Sequence, residues 1–322
     1  MYLKSDIEKW FERFDSEKKP YIFDVSIDRL TLLGYWNYNG AENFARLLGK
    51  INHDIRITKG NGTRIPAGFI FYDKCYFEII DNLKYKDARP FRLDFNPNKL
   101  NEKEVQFLKK KILPLLSGVS ASRIDLAFDI ELNLEEYQFI EDNNPKKRMY
   151  IRGRGLELQT LNIGSEESDY RVTIYNKLLE RKAKMNNNPL EVSREERVLL
   201  ETKKSWWRVE FKLKGQAATV EKNFNAFSEN NVFRGLKIYK ANYKAADDIR
   251  TRAMMFYLIN HENEWGNLTW ESKKKYKEYF EALSEYDLVD YLKDCYLSKR
   301  DKLEAQYMDY ILSDSSKNRQ AR

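Results

Sequence analysis

The spacing of apolar residues changes at Gly215, and this change limits what the chain can fold into. Before Gly215, the sequence is rich in short runs of alternating apolar and polar residues, which is typical of β-strands with one buried face. After Gly215, apolar residues recur with the period of amphipathic helices. The pattern predicts an α+β fold, with a mainly antiparallel β-sheet domain over residues 1–215 and a mostly helical region over residues 216–322.

The alternating runs predict six strands, and the capping-box spacing of Asn101 and Glu104 predicts one helix among them. The predicted strands are Tyr21 to Leu33, Ala67 to Ile80, Pro90 to Phe95, Ser122 to Glu131, Tyr170 to Lys177 and Trp206 to Lys214. The predicted helices are Asn101 to Leu116, Ile249 to Asn260, Glu271 to Leu283 and Asp287 to Leu312.

Short stretches of the first half are echoed in the same order before Gly215. The matched pairs are Asp24–Asp28 with Asp125–Asp129, Phe71–Lys74 with Ile174–Lys177, and Phe91–Phe95 with Trp207–Phe211. Two copies of a three-strand unit would produce such an echo, and so would coincidence among amphipathic strands. Internal duplication is therefore a hypothesis, and it pairs Tyr72 with Tyr175.

Composition narrows the class of protein. Of 322 residues, 57 are Lys or Arg and 50 are Asp or Glu, which gives a net charge of +7 and favours a polyanionic partner. Since 18 basic and 17 acidic residues follow Gly215, +6 of that charge precedes Gln216. No apolar run is long enough to span a bilayer, and the N-terminus lacks the apolar core of a signal peptide. We therefore expect an intracellular protein with Cys75 and Cys295 as free thiols.

Strict alternation places Arg171, Thr173, Tyr175 and Lys177 on one face of a predicted strand. A tyrosine hydroxyl flanked by two cations is a candidate nucleophile for attack on phosphate, with Arg171 and Lys177 in an electrostatic role. Amphipathic strands also expose polar rows without any catalytic role. The pattern by itself leaves both interpretations open.

Carboxylates occupy the polar faces of two other predicted strands, at Asp125, Asp129 and Glu210. If these strands adjoin the tyrosine strand, the carboxylates meet Tyr175, and such oxygen ligands suit Mg²⁺ or Mn²⁺. The alternative is a solvated face in which Arg123 and Arg208 form salt bridges with these carboxylates.

Several site classes are excluded by the residues present. The chain has two histidines, His53 and His261, far apart in sequence, so it has no histidine-hydrophobic-histidine metal motif. It also lacks the Gly-x-x-x-x-Gly-Lys-Ser/Thr phosphate loop of ATPases.

An ordered set of motifs resembles the Rep_trans family of plasmid rolling-circle replication initiators. The motifs are Arg123-Ile-Asp-Leu-Ala-Phe-Asp129, Ile174-Tyr-Asn-Lys177 followed by Glu180-Arg181, Trp207-Arg-Val-Glu210, and Glu264-Trp-Gly266 followed by Lys275-Tyr276. The resemblance covers roughly Tyr21 to Leu303.

The resemblance implies a sequence-specific enzyme that nicks one strand of a supercoiled plasmid origin and later rejoins it. The nucleophile would be Tyr175, which would form a 5′-phosphotyrosine link and leave a 3′-hydroxyl primer. A divalent cation, Mg²⁺ or Mn²⁺, would bind Asp125, Asp129 or Glu210. The resemblance also implies a homodimer, a host UvrD-like helicase as partner, and a cytoplasmic location in bacteria.

In that family a specificity determinant follows the catalytic strands, and the matching stretch here is Asn223 to Lys244. Its candidate DNA-binding residues are Arg234, Lys237, Tyr239, Lys240 and Lys244. Cations with aromatic residues between them suit contacts with phosphates and bases, although a basic surface facing water has the same pattern.

Two further classes of protein remain open at this level. The first is a DNA-binding initiator without catalysis, in which the strand carboxylates serve only the fold. The second is a scaffold protein with no role on nucleic acid. A covalent DNA adduct that depends on Tyr175 would separate the nicking enzyme from both.

Overall fold

The computed structural model describes residues 21–50, 56–59, 66–80, 89–141, 147–155, 157–187, 194–221 and 224–311. The strands are β1 (Tyr21–Trp36), β2 (Arg56–Lys59), β3 (Pro66–Ile70), β4 (Cys75–Ile79), β5 (Phe91–Phe95), β6 (Leu116–Glu131), β7 (Gln138–Glu141), β8 (Arg148–Arg152), β9 (Leu158–Ile163), β10 (Tyr170–Asn176), β11 (Trp207–Lys214), β12 (Val220–Glu221), β13 (Phe224–Asn225), β14 (Leu236–Ala241) and β15 (Ser284–Asp287). The helices are α1 (Gly40–Lys50), α2 (Glu102–Phe107), α3 (Lys177–Asn187), α4 (Arg194–Thr202), α5 (Glu229–Phe233), α6 (Ile249–Asn260), α7 (Trp270–Ala282) and α8 (Leu288–Ile311).

Ten of the described strands form one sheet in the order β2-β3-β4-β5-β1-β6-β11-β10-β9-β8, and their pairings are antiparallel. The fold is therefore α+β with a large antiparallel sheet and a helical C-terminal region, as the sequence predicted. Helices α6, α7 and α8 correspond to the three predicted helices.

The predicted strand over Ala67 to Ile80 is a hairpin of two strands, β3 and β4. Phe71 and Tyr72 have φ values of 56° and 62°, so the backbone turns through the left-handed region there. This geometry is uncommon for residues with a side chain. Apolar and aromatic residues lie on both sides of this turn, and the sequence therefore predicted a single strand.

The strand order repeats about the centre of the large sheet. Outward from β1 the order is β5, β4, β3, β2, and outward from β6 it is β11, β10, β9, β8. Two of the three local matches follow this repeat, since Asp24–Asp28 and Asp125–Asp129 lie on β1 and β6, and Phe91–Phe95 and Trp207–Phe211 lie on β5 and β11. The third does not, since Phe71–Lys74 lies at the β3–β4 turn and Ile174–Lys177 at the end of β10. Tyr72 and Tyr175 therefore occupy different places in the two halves.

The apolar face of the large sheet is covered by α8. Tyr296 contacts Phe128 of β6 with ring centroids 6.3 Å apart, and Tyr310 contacts Phe95 of β5 at 5.0 Å. The Tyr296 hydroxyl donates to the backbone oxygen of Phe227 at 2.6 Å. Helix α8 therefore closes the core from the far end of the chain.

A second sheet, in the order β15-β14-β7, joins the two halves of the chain. On β14, Ile238 belongs to the main core, whereas Tyr239 packs with Met255 of α6 and Phe280 of α7. Because β7 precedes residue 215 and β14 follows it, the described residues form a continuous structure across the predicted boundary.

Two further observations concern the described residues. Cys75 and Cys295 are free thiols, as expected. No helix in the described ranges is long and apolar enough to cross a membrane.

Candidate active site

Polar side chains cover the other face of the large sheet, and the strand register aligns them in rows. Antiparallel pairing places directly opposed residues on the same face, so each row runs across β10, β11 and β6. The rows are Tyr175–Arg208–Asp129, Thr173–Glu210–Ala127, Arg171–Lys212–Asp125 and, across β11 and β6 alone, Lys214–Arg123. The tyrosine strand β10 and the two acidic strands β11 and β6 are therefore neighbours, as the sequence hypothesis required.

Tyr175 lies where β10 ends and α3 begins. Asn176 accepts a hydrogen bond from the backbone N–H of Leu179 at 3.0 Å, which is the action of a helix N-cap. Lys177 is the first residue of α3 rather than the last residue of the strand. Its Nζ nevertheless lies 3.3 Å from the Tyr175 hydroxyl, because the start of the helix turns it back over the ring.

The Tyr175 hydroxyl donates a hydrogen bond to Oε1 of Glu210 at 2.8 Å. Glu210 is directly opposite Thr173, so the bond joins diagonal neighbours on two paired strands. Glu210 also lies 3.5 Å from Nζ of Lys212. The phenol is thus in direct contact with a carboxylate and a lysine, which is the arrangement that proton removal from a tyrosine needs.

Burial and neighbouring charges shift the acidities of this group. Burial raises the pKa of the Tyr175 phenol well above its ordinary value, the charge of Glu210 raises it further, and Arg208 lowers it. Burial also raises the pKa of Glu210, against the effect of Lys212. Burial lowers the pKa of Lys177, and the charge of Arg208 lowers it further. A raised carboxylate pKa makes Glu210 a stronger proton acceptor when it is ionised.

Arg208 and Asp129 form a buried, two-pronged ion pair beside Tyr175. Nε of Arg208 donates to Oδ1 of Asp129 at 2.8 Å, and Nη2 donates to Oδ2 at 2.7 Å. Trp206 Nε1 donates to the same Oδ1 at 2.8 Å, and Arg208 Nη1 donates to Asp28 at 3.0 Å. Three hydrogen bonds therefore hold the guanidinium directly opposite Tyr175 in the register, and the fourth holds Asp129.

Asp125 is paired with its own strand neighbour. Arg123 donates to its two carboxylate oxygens at 2.7 and 2.6 Å. The alternative interpretation of the sequence expected Arg123 and Arg208 to form salt bridges with these carboxylates, and both salt bridges are present. The carboxylates of Asp125 and Asp129 are buried, however, and not solvated as that interpretation expected.

The predicted metal site is not assembled. In the described part of the chain, no three His, Cys, Asp or Glu side chains are grouped so that they would hold a metal ion. Asp125 and Asp129 are each occupied by an arginine, and Glu210 is in contact with Tyr175 and Lys212. As arranged, Asp125, Asp129 and Glu210 do not fit a shared divalent cation.

Arg171 is not brought next to Tyr175. It is four residues earlier on β10, about 13 Å away along the strand, and its Nη1 lies 3.1 Å from Glu166. Lys177 instead lies 3.3 Å from the hydroxyl, and Arg208 lies directly opposite Tyr175 in the register. The sequence placed Arg208 on the charged face, and the strand register then put it opposite Tyr175.

The predicted DNA-binding segment contains both exposed and buried residues. Lys244 is exposed, Lys240 pairs with Glu136, and Arg234 is exposed, with its guanidinium 4.7 Å from the Tyr170 ring. Lys237 lies 3.3 Å from the carboxylate of Asp287. Tyr239 is 5% exposed in the second core, so its ring does not face a surface on which bases could stack.

Asp28 was missed as a site residue. It accepts from Arg208 at 3.0 Å and from Nδ2 of Asn96 at 2.9 Å, and so links β1 to β11 across β6. A signal existed, because the sequence echo matched Asp28 with Asp129. The echo was interpreted as a repeat of strands and not as two acids sharing one arginine.

Comparisons with known proteins agree with these motifs. Residues 29–116 match the sequence profile of a RepD-like family described as replication initiation protein, N-terminal. A replication initiation protein from Staphylococcus aureus is 31% identical over 284 residues, which are 88% of this chain and 83% of that protein. A second from the same organism is 32% identical over 271 residues, 84% of this chain and 79% of that protein.

The chain belongs to the family of replication initiation proteins. The resemblance inferred from the motifs is confirmed at this level. A solved rolling circle replication initiator protein from Geobacillus stearothermophilus aligns with 71% of this replication initiation protein and 91% of its own chain, with 13% identity and a TM-score of 0.38. The family assignment rests on the Staphylococcus aureus relatives.

Proposed function

We propose that this replication initiation protein starts rolling-circle replication of a plasmid by nicking one strand of its origin with Tyr175. The observation that carries the proposal is the 2.8 Å hydrogen bond from the Tyr175 hydroxyl to Glu210, with Lys177 3.3 Å from the same oxygen. A phenol in contact with a proton acceptor and a cation is suited to transesterification.

In the proposed step, the phenolic oxygen of Tyr175 attacks the scissile phosphorus while Glu210 accepts the phenolic proton. The bond between phosphorus and the 3′ oxygen breaks, and the leaving oxygen takes a proton from solvent. The products are a 5′-phosphotyrosine and a free 3′-hydroxyl, which primes a polymerase. Attack of a 3′-hydroxyl on the phosphotyrosine rejoins the strand and returns the proton to the phenol oxygen.

The two cations would assist at different atoms. Lys177 donates to the phenol oxygen, so it would stabilise the phenolate as the proton leaves. Arg208 lies opposite Tyr175 and lowers the pKa of the phenol by its charge, against the effect of burial. Its ion pair with Asp129 would keep the guanidinium in place during the reaction.

A requirement for Mg²⁺ or Mn²⁺ is part of the proposal only through the family resemblance. The side chains of Asp125, Asp129 and Glu210 do not form a shared site, so the proposed step uses only the protein's own residues. Adduct formation measured with EDTA, with Mg²⁺ and with Mn²⁺ tests the requirement.

Sequence-specific origin binding, a homodimer and recruitment of a UvrD-like helicase complete the proposal. Its plasmid context and its site of action in the bacterial cytoplasm follow from the same resemblance. Light scattering of the purified protein measures the oligomeric state, and unwinding of nicked plasmid with and without the protein measures helicase recruitment.

The test of the nicking step is adduct formation on a supercoiled plasmid bearing the protein's own origin, with Mg²⁺ or Mn²⁺ present. We expect a covalent protein–DNA adduct that is lost in Tyr175→Phe, because phenylalanine keeps the ring and removes the nucleophilic oxygen. Denaturing gel electrophoresis after detergent treatment detects the adduct.

Tyr72→Phe is the matched control, since Tyr72 is 70% exposed at the β3–β4 turn and is the tyrosine that the sequence echo pairs with Tyr175. This variant should form the adduct normally. Origin binding without any adduct in the unmodified protein would support the non-catalytic initiator instead, and neither binding nor adduct would support a scaffold.

A further inference from the structure

The polar face continues beyond Tyr175 as a layer of cations above buried carboxylates. In each of three ion pairs the cation is the more exposed partner. The exposed fractions of the side chains are 19% for Arg123 against 5% for Asp125, 19% for Lys212 against 10% for Glu210, and 42% for Arg29 against 7% for Asp94. At these three pairs, solvent therefore meets the cation more than the carboxylate.

Four cations converge at the end of the sheet rows farthest from Tyr175. The register places Arg171 opposite Lys212 and Lys214 opposite Arg123 on adjoining strands. Residues directly opposite on an antiparallel pair have Cβ atoms about 5 Å apart, and like charges so placed repel each other. We call these four residues, Arg123, Arg171, Lys212 and Lys214, the cation cluster.

The pKa of Lys214 reflects this crowding. Burial lowers the pKa of Lys214, and the charges of Arg123, Arg171 and Lys212 each lower it further, whereas Asp125 raises it. A bound anion would relieve the repulsion that these neighbours impose on one another.

The acids close to the cation cluster leave it accessible to an anion. Asp125 and Glu210 lie beneath the cations, with exposed fractions of 5% and 10%. Glu166 pairs with Arg171 but is 84% exposed, and such surface pairs contribute little. Within the described structure, Nε of Arg171 has no hydrogen-bond acceptor, so Glu166 uses only part of the guanidinium.

We propose that the cation cluster binds the phosphodiester backbone of the single DNA strand whose cleavage Tyr175 performs. The proposal rests on the function proposed above and assigns Arg171 to binding at a distance from the reacting atoms. Arg171 lies about 13 Å from Tyr175 along β10, a distance that a single strand spans within a few nucleotides. Contacts to phosphates fix the register of the strand without reading its bases.

The test is binding of a fluorescent oligothymidylate by the full chain, measured by anisotropy across a salt series. Oligothymidylate offers phosphates without the origin sequence. We expect Arg171→Gln combined with Lys214→Gln to raise the dissociation constant at least roughly tenfold at 0.1 M salt, and to make the slope of log K against log salt less negative by about 1.4.

Two paired variants serve as controls. Lys110→Gln combined with Lys111→Gln removes the same charge from an exposed site after α2 and should leave the slope unchanged. Arg171→Lys combined with Lys214→Arg keeps the charge and should retain the slope. An unchanged slope in the variant with Arg171→Gln and Lys214→Gln, called the Gln pair, would overturn the inference. An equal loss of affinity and slope in the charge-preserving variant would overturn it too.

The outcome is separable from that of the nicking proposal. If the adduct persists in Tyr175→Phe while the Gln pair still flattens the salt slope, the nicking proposal fails and the binding site stands. If the adduct depends on Tyr175 while the Gln pair binds normally, the nicking proposal stands and the binding site fails.

Discussion

At the scale of single residues, burial shifts the pKa values of Tyr175 and Glu210, the two groups of the proposed proton transfer. Burial raises the pKa of both side chains, so the phenol holds its proton while the carboxylate becomes the better acceptor. The cations Lys177 and Arg208 then favour the phenolate once the proton has moved. The proposed site thus combines a protonated phenol with a carboxylate acceptor at hydrogen-bond distance.

Glu210→Gln should reduce the rate of adduct formation by about 10²–10⁴-fold, because an amide keeps the shape but accepts no proton. The rate in the unmodified protein should rise as pH increases through the raised pKa of Glu210. Single-turnover cleavage across pH measures both effects. A variant that cleaves normally would show that Glu210 is not the acceptor.

Glu210→Gln should also change how the stability of the folded protein depends on pH. Because the pKa of Glu210 is raised in the folded state, its contribution to stability is full below the unfolded-state pKa and is lost as pH rises through the folded-state pKa. Relative to Glu210→Gln, the unmodified protein should therefore lose thermal stability over that window. Melting curves between about pH 4 and pH 8 test this, and parallel curves would contradict it.

At the scale of elements, β14 shows why a basic sequence segment is not uniformly a DNA-binding surface. The strand lies in the middle of the small sheet, with the main core on one side and helices α6 and α7 on the other. Tyr239 is therefore buried, whereas Lys240 and Lys244 remain at or near the end of the strand, where solvent reaches them.

We expect Lys240→Ala combined with Lys244→Ala to weaken binding to duplex origin DNA. The slope of log K against log salt should become less negative by about 1.8. This value assumes one phosphate contact for each lysine, at about 0.9 each for duplex DNA. Salt titration of binding provides the measurement. Lys302→Ala, at an exposed position of α8, is a single-charge control that should leave the slope as it is. If the double variant has the same slope as the unmodified protein, Lys240 and Lys244 do not contact DNA phosphates.

At the scale of the whole molecule, one core extends from β1 to the end of α8. It includes Val25 near the start and Tyr310 near the end of the described residues. A boundary at residues 215 and 216 would separate Phe128 from Tyr296 and β7 from β14. The large sheet therefore depends on helix α8 for the cover of its apolar face.

A fragment of residues 1–215 should consequently fail to unfold cooperatively, whereas the full chain should show one transition by circular dichroism and tryptophan fluorescence. Tyr296→Phe is the matched control in the full chain, since it removes only the hydrogen bond to Phe227, at a cost of about 1 kcal/mol. A cooperative melt of the fragment would instead establish two separable domains.

Much of the architecture was predictable from local pattern. Three features follow from interactions within a few residues. They are the alternation along β1, β6 and β11, the capping box of Asn101 and Glu104, and the three C-terminal helices. The turn at Phe71 and Tyr72 was not predictable, because both residues adopt a backbone conformation that their side chains disfavour. Strands β8 and β9 were missed too, since their pairing rather than their composition defines them.

The amino-acid sequence by itself determined the α+β class, the polar row that contains Tyr175, and the family motifs, because periodicity and residue order are properties of the chain. Only the tertiary structure decided which charges meet. In the folded chain, Tyr175 contacts Glu210, Asp129 pairs with Arg208, and Asp125 pairs with Arg123. Strand register places Arg171 in the cation cluster, away from Tyr175. These outcomes depend on pairing between residues far apart in sequence, and alternation fixes the face of each side chain without fixing its partner.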